Sequence, residues 1–222
     1  MKVTLNIAMT LDGKIDTIAR QGAKISSDAD WGRVDRLRAA HDAVLVGGRT
    51  LLDDDPRLTV KTAALRDERV ARGLAPDPVK VGIVSNATLS ANSRFLTDGD
   101  GKVFIFTTTQ TSAIQLTVLR EAGAQAFVLG EHRVDLVAMM KILAEHGIEN
   151  VMVEGGGGII AALLAEGLVD EVQAYIAPLI FGGATAPTLA DGEGLLDGVR
   201  LDLIALTQLK DGGILAKYEV IR

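Results

Sequence analysis

The residues best suited to chemistry lie in VMVEGGGGIIAALL, positions 151–164. An apolar run ends in Glu154, four glycines follow (Gly155, Gly156, Gly157, Gly158), and a helix-forming stretch begins at once. Glycines let backbone N–H groups approach an anion with no Cβ in the way. A helix N-terminus adds the positive end of its dipole. Two glycines would serve a plain strand-to-helix turn; four in a row favour a turn that cradles a diphosphate. The order matches neither G-x-G-x-x-G nor a Walker loop. Glu154 is a carboxylate at the strand mouth. It is placed to accept hydrogen bonds from a ligand amine or hydroxyl, or simply to partner the helix dipole.

A second group is VGGRT (46–50) running into LLDDDPRLTVK (51–61). Three adjacent aspartates repel one another, and a solvated turn is their ordinary explanation. Thr50 and Asp54 are four apart and share one side if 49–54 coil as a helical turn. Asp54 then addresses a ligand and Asp53 faces solvent, while Pro56 sets the bend and Asp55 has no evident role. Arg38, Arg57 and Lys61 together supply charge for a phosphate monoester, although a surface position is the usual fate of each alone. A third, weaker feature is Asp12-Gly13 in AMTLDGK (8–14), a charged turn directly after the first strand. A fourth is the polar run after Ser85 (Asn86, Thr88, Ser90, Asn92, Ser93, Arg94), which meets no acid until Asp98. An NAD site places a carboxylate on the adenosine 2′-hydroxyl, whereas hydroxyls, amides and an Arg suit a 2′-phosphate, so the run leans toward NADP.

These loops need strands and helices to hold them. Apolar runs predict strands at 2–9, 42–48, 79–85, 102–108, 125–130, 150–156 and 170–183. Helical spacing predicts helices at 28–40 with Ser27 or Asp28 as N-cap, 111–122, 134–146 and 157–167. Trp31, Val34 and Leu37 form the expected apolar face of the first helix. Leu136, Met139, Met140 and Leu143 form that of the helix at 134–146. Residues 61–78 are polar with two prolines near their end and read as a surface excursion. The tail reads as a hairpin, LDLIALTQLK and ILAKYEVI around a DGG turn. Repeated strand–helix units predict an α/β fold, a largely parallel sheet with helices on both faces and an antiparallel edge, in one domain over 1–222. Ligands on such sheets bind beyond the strand C-terminal ends.

The bulk composition excludes several functions. At 48% hydrophobic residues the chain can fill a core, and a formal charge of −6 argues against nucleic-acid binding. No cysteine is present, which removes thiolate nucleophiles and Cys-ligated metals. The three histidines, His41, His132 and His146, have no ligand spacing, so no metal is expected. No apolar run reaches the ~20 residues of a membrane span, and MKVTLNIAMTLDGK reads as a strand rather than a signal peptide. A cytoplasmic protein without a membrane partner is expected.

Taken in order, AMTLDGKI, LRAAHDAVLVGGRTLLDDDPRLTV, VMVEGGGGII and EGLVDEVQAYIAPLIFGG resemble the reductase of riboflavin biosynthesis. That reductase is free-standing or forms the C-terminal domain of a bifunctional deaminase-reductase. The resemblance covers nearly the whole chain. It implies a dihydrofolate-reductase-like three-layer sandwich around a mixed sheet, NADPH as cofactor, a phosphorylated ribosylamino-pyrimidine as substrate, and a homodimer. Lacking cysteine and a zinc signature, the chain is expected to be the free-standing type. Thr17-Ile18 after GKI, and APTLADGEG (186–194), resemble the archaeal form, which reduces before deamination. Carried over by position, cofactor contacts fall on Ala8, Thr50, Asp54 and Ser85, and run from the glycines into the helix start at Ile159. Substrate contacts fall on Arg38, Leu58, Lys61 and Glu154. Lys61 stands where many bacterial members have arginine; lysine lacks the bidentate fork, and Arg57 is expected to compensate. Glu154 and, more weakly, Asp12 are the expected catalytic groups for proton delivery or orientation. The alternatives are reduction of the already deaminated uracil, a dihydrofolate reductase, and a regulatory module that holds NADP without turnover.

Overall fold

Strands AVLVG (β2, Ala43–Gly47) and VFIFT (β4, Val103–Thr107) are buried along their whole length. Unbroken apolar runs of this kind suit parallel strands covered on both faces. The computed structural model describes residues 1–192, 194 and 197–222; Glu193, within the 186–194 signature, lies outside them. The chain forms two compact units, Met1 with Asp35–Met152, and Lys2–Val34 with Val153–Arg222.

In the first unit β2 is followed by β3 (Val79–Ile83), β4 and β5 (Gln125–Val128), all parallel and ordered β5-β4-β3-β2, with β6 (Asn150–Val153) beyond β2. Its core includes Leu45, Val81, Ile105, Met139 and Leu143. Phe106 stacks on Phe127 at 4.9 Å, and the His146 ring meets Phe104 edge-on at the same distance, so this histidine is a packing residue. In the second unit β1 (Lys2–Thr10) pairs in parallel with β7 (Glu171–Ala177). β7 then pairs antiparallel with β9 (Ile214–Val220), and β9 with β8 (Leu201–Gln208). The closing hairpin and the mostly parallel, mixed α/β character are as expected.

Helix α1 (Asp28–Ala40) starts where predicted, with the Ser27 hydroxyl accepting from the Asp30 N–H at 3.2 Å. Its buried face is not the expected one. Trp31 is 43% exposed and Leu37 half-buried, while Asp30, Val34, Asp35, Arg38 and Ala39 are buried. Charged groups take the inner positions because each finds an ionic or backbone partner there. The supposed excursion at 61–78 contains helix α2 (Ala63–Ala71). Arg69 of α2 is buried and donates to Ala39 O and His41 O at the end of α1, and to Ala75 O after α2. A four-residue helix, α3 (Arg94–Thr97), also escaped the sequence reading. Helices α4 (Ala113–Glu121) and α5 (Leu136–Glu145) follow, α5 burying Leu136, Met139, Met140 and Leu143 as expected. Helix α6 (Gly157–Ala165) begins inside the glycine run. β6 and β7 are shorter than predicted, ending at Val153 and Ala177, so Glu154 and the 178–183 segment are loop.

Candidate functional site

In the first unit the polypeptide leaves β2 through Gly48 and enters a π-helical turn, Thr50–Asp54. Leu51 anchors the turn; it is 1% exposed and lies over Gly82 of β3, where a Cβ would come within 2.8 Å of its Cδ2. A Cβ on Gly48 would sit 3.2 Å from Val84, so the ends of β2 and β3 run side by side and bring Thr50 and Ser85 to the same end of the sheet. The Ser85 carbonyl accepts from the Thr107 and Thr108 hydroxyls at 3.2 and 2.7 Å.

The three aspartates have separate fates. Asp53 and Asp54 are exposed on the turn. Asp55, for which the sequence offered no role, adopts a left-handed φ of 44° and turns its carboxylate onto the Arg94 and Phe95 N–H groups at 2.8 and 2.9 Å, with the Arg94 guanidinium beside it. It therefore supplies acceptors to the start of α3 from outside the helix. Arg57 pairs with Asp98 at 2.6 Å. Leu58 has φ 52°, a strained value for a bulky residue, yet its side chain is 1% exposed. The strain costs about 1–2 kcal/mol and burial returns about 2, so the conformation holds.

The strap from 59 to 62 is gripped at successive peptide groups. Arg38 donates to Thr59 O at 3.0 Å and Val60 N–H donates to Asp77 at 2.8 Å. Lys61 and Thr62 N–H groups donate to the two oxygens of Asp35 at 2.7 and 2.9 Å. Asp77 is also paired with Arg66 at 2.8 Å. Burial alone would raise the Asp35 pKa, but the Thr62 hydroxyl, the two N–H groups and Arg38 outweigh it and hold the carboxyl below its ordinary value.

In the second unit Ala8 near the end of β1 is half-buried against a cluster of Ile25, Tyr175 and Ala177. The Tyr175 hydroxyl donates to Asp211 at 3.3 Å, and the Ser27 hydroxyl donates to the same carboxylate. Asp12 accepts from the Thr10 hydroxyl at 2.6 Å and from the Phe181 and Gly182 N–H groups at 3.2 and 2.7 Å. The Thr10 hydroxyl and those N–H groups hold its carboxyl below the ordinary carboxylate pKa. Such a group suits orientation better than proton delivery.

The glycines divide by function. Gly155 has φ 110°, open only to glycine, and stands 3.7 Å (measured from a Cβ) from Ile7. Gly156 occupies the N-cap of α6 without a side-chain acceptor. A Cβ on Gly157 would lie 2.5 Å from Thr188 O, so close packing demands glycine there. Gly158 is exposed, in ordinary helical backbone, with nothing within 4 Å of its would-be Cβ. Glu154 and Ile159 are half-buried on either side of the run. The 188–191 segment closes over α6: Asp191 N–H donates to Gly157 O at 3.1 Å, and Thr188 donates its N–H and hydroxyl to Asp191 at 3.0 and 2.7 Å. Residues on either side of Thr17-Ile18 reach the neighbouring 185–188 segment. Ile15 N–H donates to Pro187 O at 3.0 Å, Lys14 bridges Thr188, and Arg20 donates to Thr185 O at 3.0 Å.

Residues 1–215 match the model of the RibD C-terminal domain. The chain belongs to that family. It is 39% identical over 91% of both chains to the 2,5-diamino-6-ribosylamino-4(3H)-pyrimidinone 5′-phosphate reductase of Archaeoglobus fulgidus. It is 42% identical over 90% of both chains to the protein of that name in Methanothermobacter thermautotrophicus. In structure it superposes on a pyrimidine reductase-like protein from Corynebacterium diphtheriae with a TM-score of 0.86, at 20% identity, over the whole of this chain and 92% of the other. That last likeness is one of fold.

Within this RibD-type domain, each unit gathers its own share of the predicted residues. Arg38, Thr50, Asp54, Arg57, Leu58, Lys61 and Ser85 belong to the first; Ala8, Asp12, Glu154 and Gly155 to Ile159 belong to the second. The sequence reading missed Asp35, Asp55, Asp77 and Asp191. The carboxylates of Asp35, Asp55 and Asp77 accept from backbone groups 17 to 40 residues away, which no local pattern announces, while Asp191 accepts from Thr188 close by and reaches Gly157 through its own N–H. No helix among the described residues is long and apolar enough to cross a membrane.

Proposed function

We propose that the protein is an NADPH-dependent cytoplasmic reductase converting 2,5-diamino-6-ribosylamino-4(3H)-pyrimidinone 5′-phosphate to its ribitylamino form in riboflavin biosynthesis. The observation that carries this reading is the likeness to two archaeal reductases so named, over nine-tenths of both chains. In the reaction the ribosylamine opens to an imine-like C1′, a hydride adds to that carbon, and a proton adds to the nitrogen. NADPH supplies the hydride when bound. The chain binds, orients, excludes water and handles the proton.

The glycine turn fits a dinucleotide diphosphate. Gly158 leaves open the space a Cβ would fill, at the positive end of α6. Gly155 to Ile159, Ala8, Thr50, Asp54 and Ser85 are the proposed cofactor contacts. Arg38, Arg57, Leu58, Lys61 and Glu154 are the proposed substrate contacts. Leu58, its side chain buried, would act through its backbone. Glu154 is the proposed proton donor to the nitrogen, and Asp12 an orienting group. A homodimer is part of the proposal. β8 is an edge strand exposed along its whole length, with Leu203, Ile204 and Leu206 at 49, 51 and 62% exposure. A long apolar edge of this kind calls for a covering partner, and a second copy of the chain supplies one.

The test is NADPH oxidation on adding the diaminopyrimidinone, with the deaminated uracil compound in parallel. Faster turnover of the diamino compound is expected. Preference for the uracil would keep the enzyme class and reverse the order of reduction and deamination. No oxidation with either would reject the proposal and make dihydrofolate the next substrate to try.

A further inference from the structure

The residues at 57–61 proposed to meet the substrate have no regular element of their own. They sit on a strap held by Arg38 and by two carboxylates, Asp35 and Asp77, that the sequence never marked. We infer that Asp35 is a positioning residue for the substrate's phosphate end: its carboxylate fixes the backbone at Lys61 and Thr62 and so aims the Lys61 ammonium. This rests on the reading above that the strap receives the phosphate.

Three observations carry it. The carboxylate of Asp35 spans two consecutive N–H groups at 2.7 and 2.9 Å, one on each oxygen, which fixes both position and rotation of the peptide between them. Those two residues lead directly into α2, whose N-cap Thr62 makes no side-chain cap of its own. Asp35 thus serves the start of α2 from a neighbouring helix. On that same helix Arg38, three residues on and on the same side, holds Thr59 O at 3.0 Å, and from elsewhere Asp77 holds Val60 N–H at 2.8 Å. Every peptide from 59 to 62 is therefore tied to a charged side chain that is itself buried. These restraints stabilise the strap and the start of α2, and they also fix where the Lys61 side chain leaves the backbone. A lysine that must meet a phosphate without a bidentate fork gains most from them, because a point charge on a flexible stem depends on where its backbone stands. The Thr62 hydroxyl also acts to hold the Asp35 carboxyl below its ordinary pKa, as a donor beside the carboxylate does.

Asp35→Asn keeps the size and replaces one acceptor oxygen with a donor that opposes an N–H. The expected result is a KM for the 5′-phosphorylated substrate raised about tenfold, as for loss of a hydrogen bond to a charged group. The expected kcat and NADPH KM stay within about twofold, and the KM for the dephosphorylated compound is unchanged. Hydrogen exchange at the Lys61 and Thr62 amides should accelerate in parallel. If both compounds lose affinity equally, or neither does, the positioning role is wrong. Thr62→Val, which removes only the hydroxyl, gives the same pattern at smaller amplitude and decides the matter if Asp35→Asn fails to fold; an unaltered phosphate preference there overturns the inference. Lys61→Ala separates the two layers of the argument. If it keeps the wild-type preference for the phosphorylated compound, the phosphate assignment itself has failed. If it abolishes that preference while Asp35→Asn retains it, the strap binds phosphate and only the role of Asp35 falls.

Discussion

Gly157 and Gly158 are neighbours at the start of α6, and replacing each by alanine should have opposite consequences. A Cβ at 157 would stand 2.5 Å from Thr188 O and 3.1 Å from Asp191 N, both backbone atoms that cannot rotate aside. Overpacking of this kind costs about 1–3 kcal/mol. In a chain of this length each kcal/mol moves Tm by roughly 2–4 °C, so Gly157→Ala should melt several degrees lower. At 158 nothing lies within 4 Å and the backbone is helical. Alanine there should be neutral or stabilising by up to about 1 kcal/mol, because glycine is the poorer helix former. Folding thus gives no reason for glycine at 158. The remaining reason is a ligand, since a methyl group would stand where a diphosphate approaches the amides. Gly158→Ala should therefore raise the NADPH Kd by about tenfold or more, equivalent to roughly 1.4 kcal/mol, while Tm holds or rises. Thermal unfolding and a fluorescence titration with NADPH measure both on one preparation. A Gly158→Ala protein that binds NADPH like the wild type would refute the assignment of the diphosphate to this turn.

Four further outcomes are expected. Glu154→Gln should cut turnover by about a hundredfold with little change in NADPH affinity, as for loss of a general acid; normal turnover would remove Glu154 from that role. Arg57→Ala breaks a half-exposed ion pair with Asp98, so stability should change by less than about 1 kcal/mol. If Arg57 also meets the phosphate, the substrate KM rises about tenfold, and an unchanged KM would sink that contact. The carboxyls of Asp35 and Asp16 are both held below their ordinary value, burial being outweighed by hydrogen bonds from Thr62, Lys61, Gly22 and Ala23. The folded state then binds fewer protons than the unfolded one, so their contribution is complete above pH ~4 and lost as pH falls below it. Tm should decline from about pH 4 downward, less steeply in Asp35→Asn; equal slopes would contradict the linkage. Leu206→Lys on the exposed edge strand should turn a dimer into a monomer in light scattering without lowering secondary-structure content, whereas a dimer of undiminished strength would place the interface elsewhere.

What could be read from the sequence followed from periodicity and from glycine. The buried strands announced themselves as unbroken apolar runs, and α5 as a stripe of Leu136, Met139, Met140 and Leu143. The glycine run marked the start of α6, although its pattern did not separate the glycine needed for φ (Gly155) from the one needed for packing (Gly157) and the one needed for neither (Gly158). That distinction depends on the backbone angle at Gly155 and on Thr188, which lies far from the run in sequence. Helix α1 shows why the rest stayed hidden. Apolar spacing pointed to Trp31, Val34 and Leu37, yet Asp35 and Arg38 are the residues turned inward, because backbone groups at 59–62 offer them partners. An apolar side chain is buried for what it is; a charged one is buried for what it meets, and that partner is not local. The same reasoning explains DDD. Like charges in a row looked like a solvated turn, and for Asp53 that reading stands. Asp55 instead caps a helix some forty residues away, and its left-handed backbone turns it from its neighbours toward those N–H groups. Asp35, Asp55 and Asp77 bind backbone amides, two of them with an arginine alongside. A search for opposite charges at short spacing passes over them; a search for loops whose N–H groups need acceptors would have found them first.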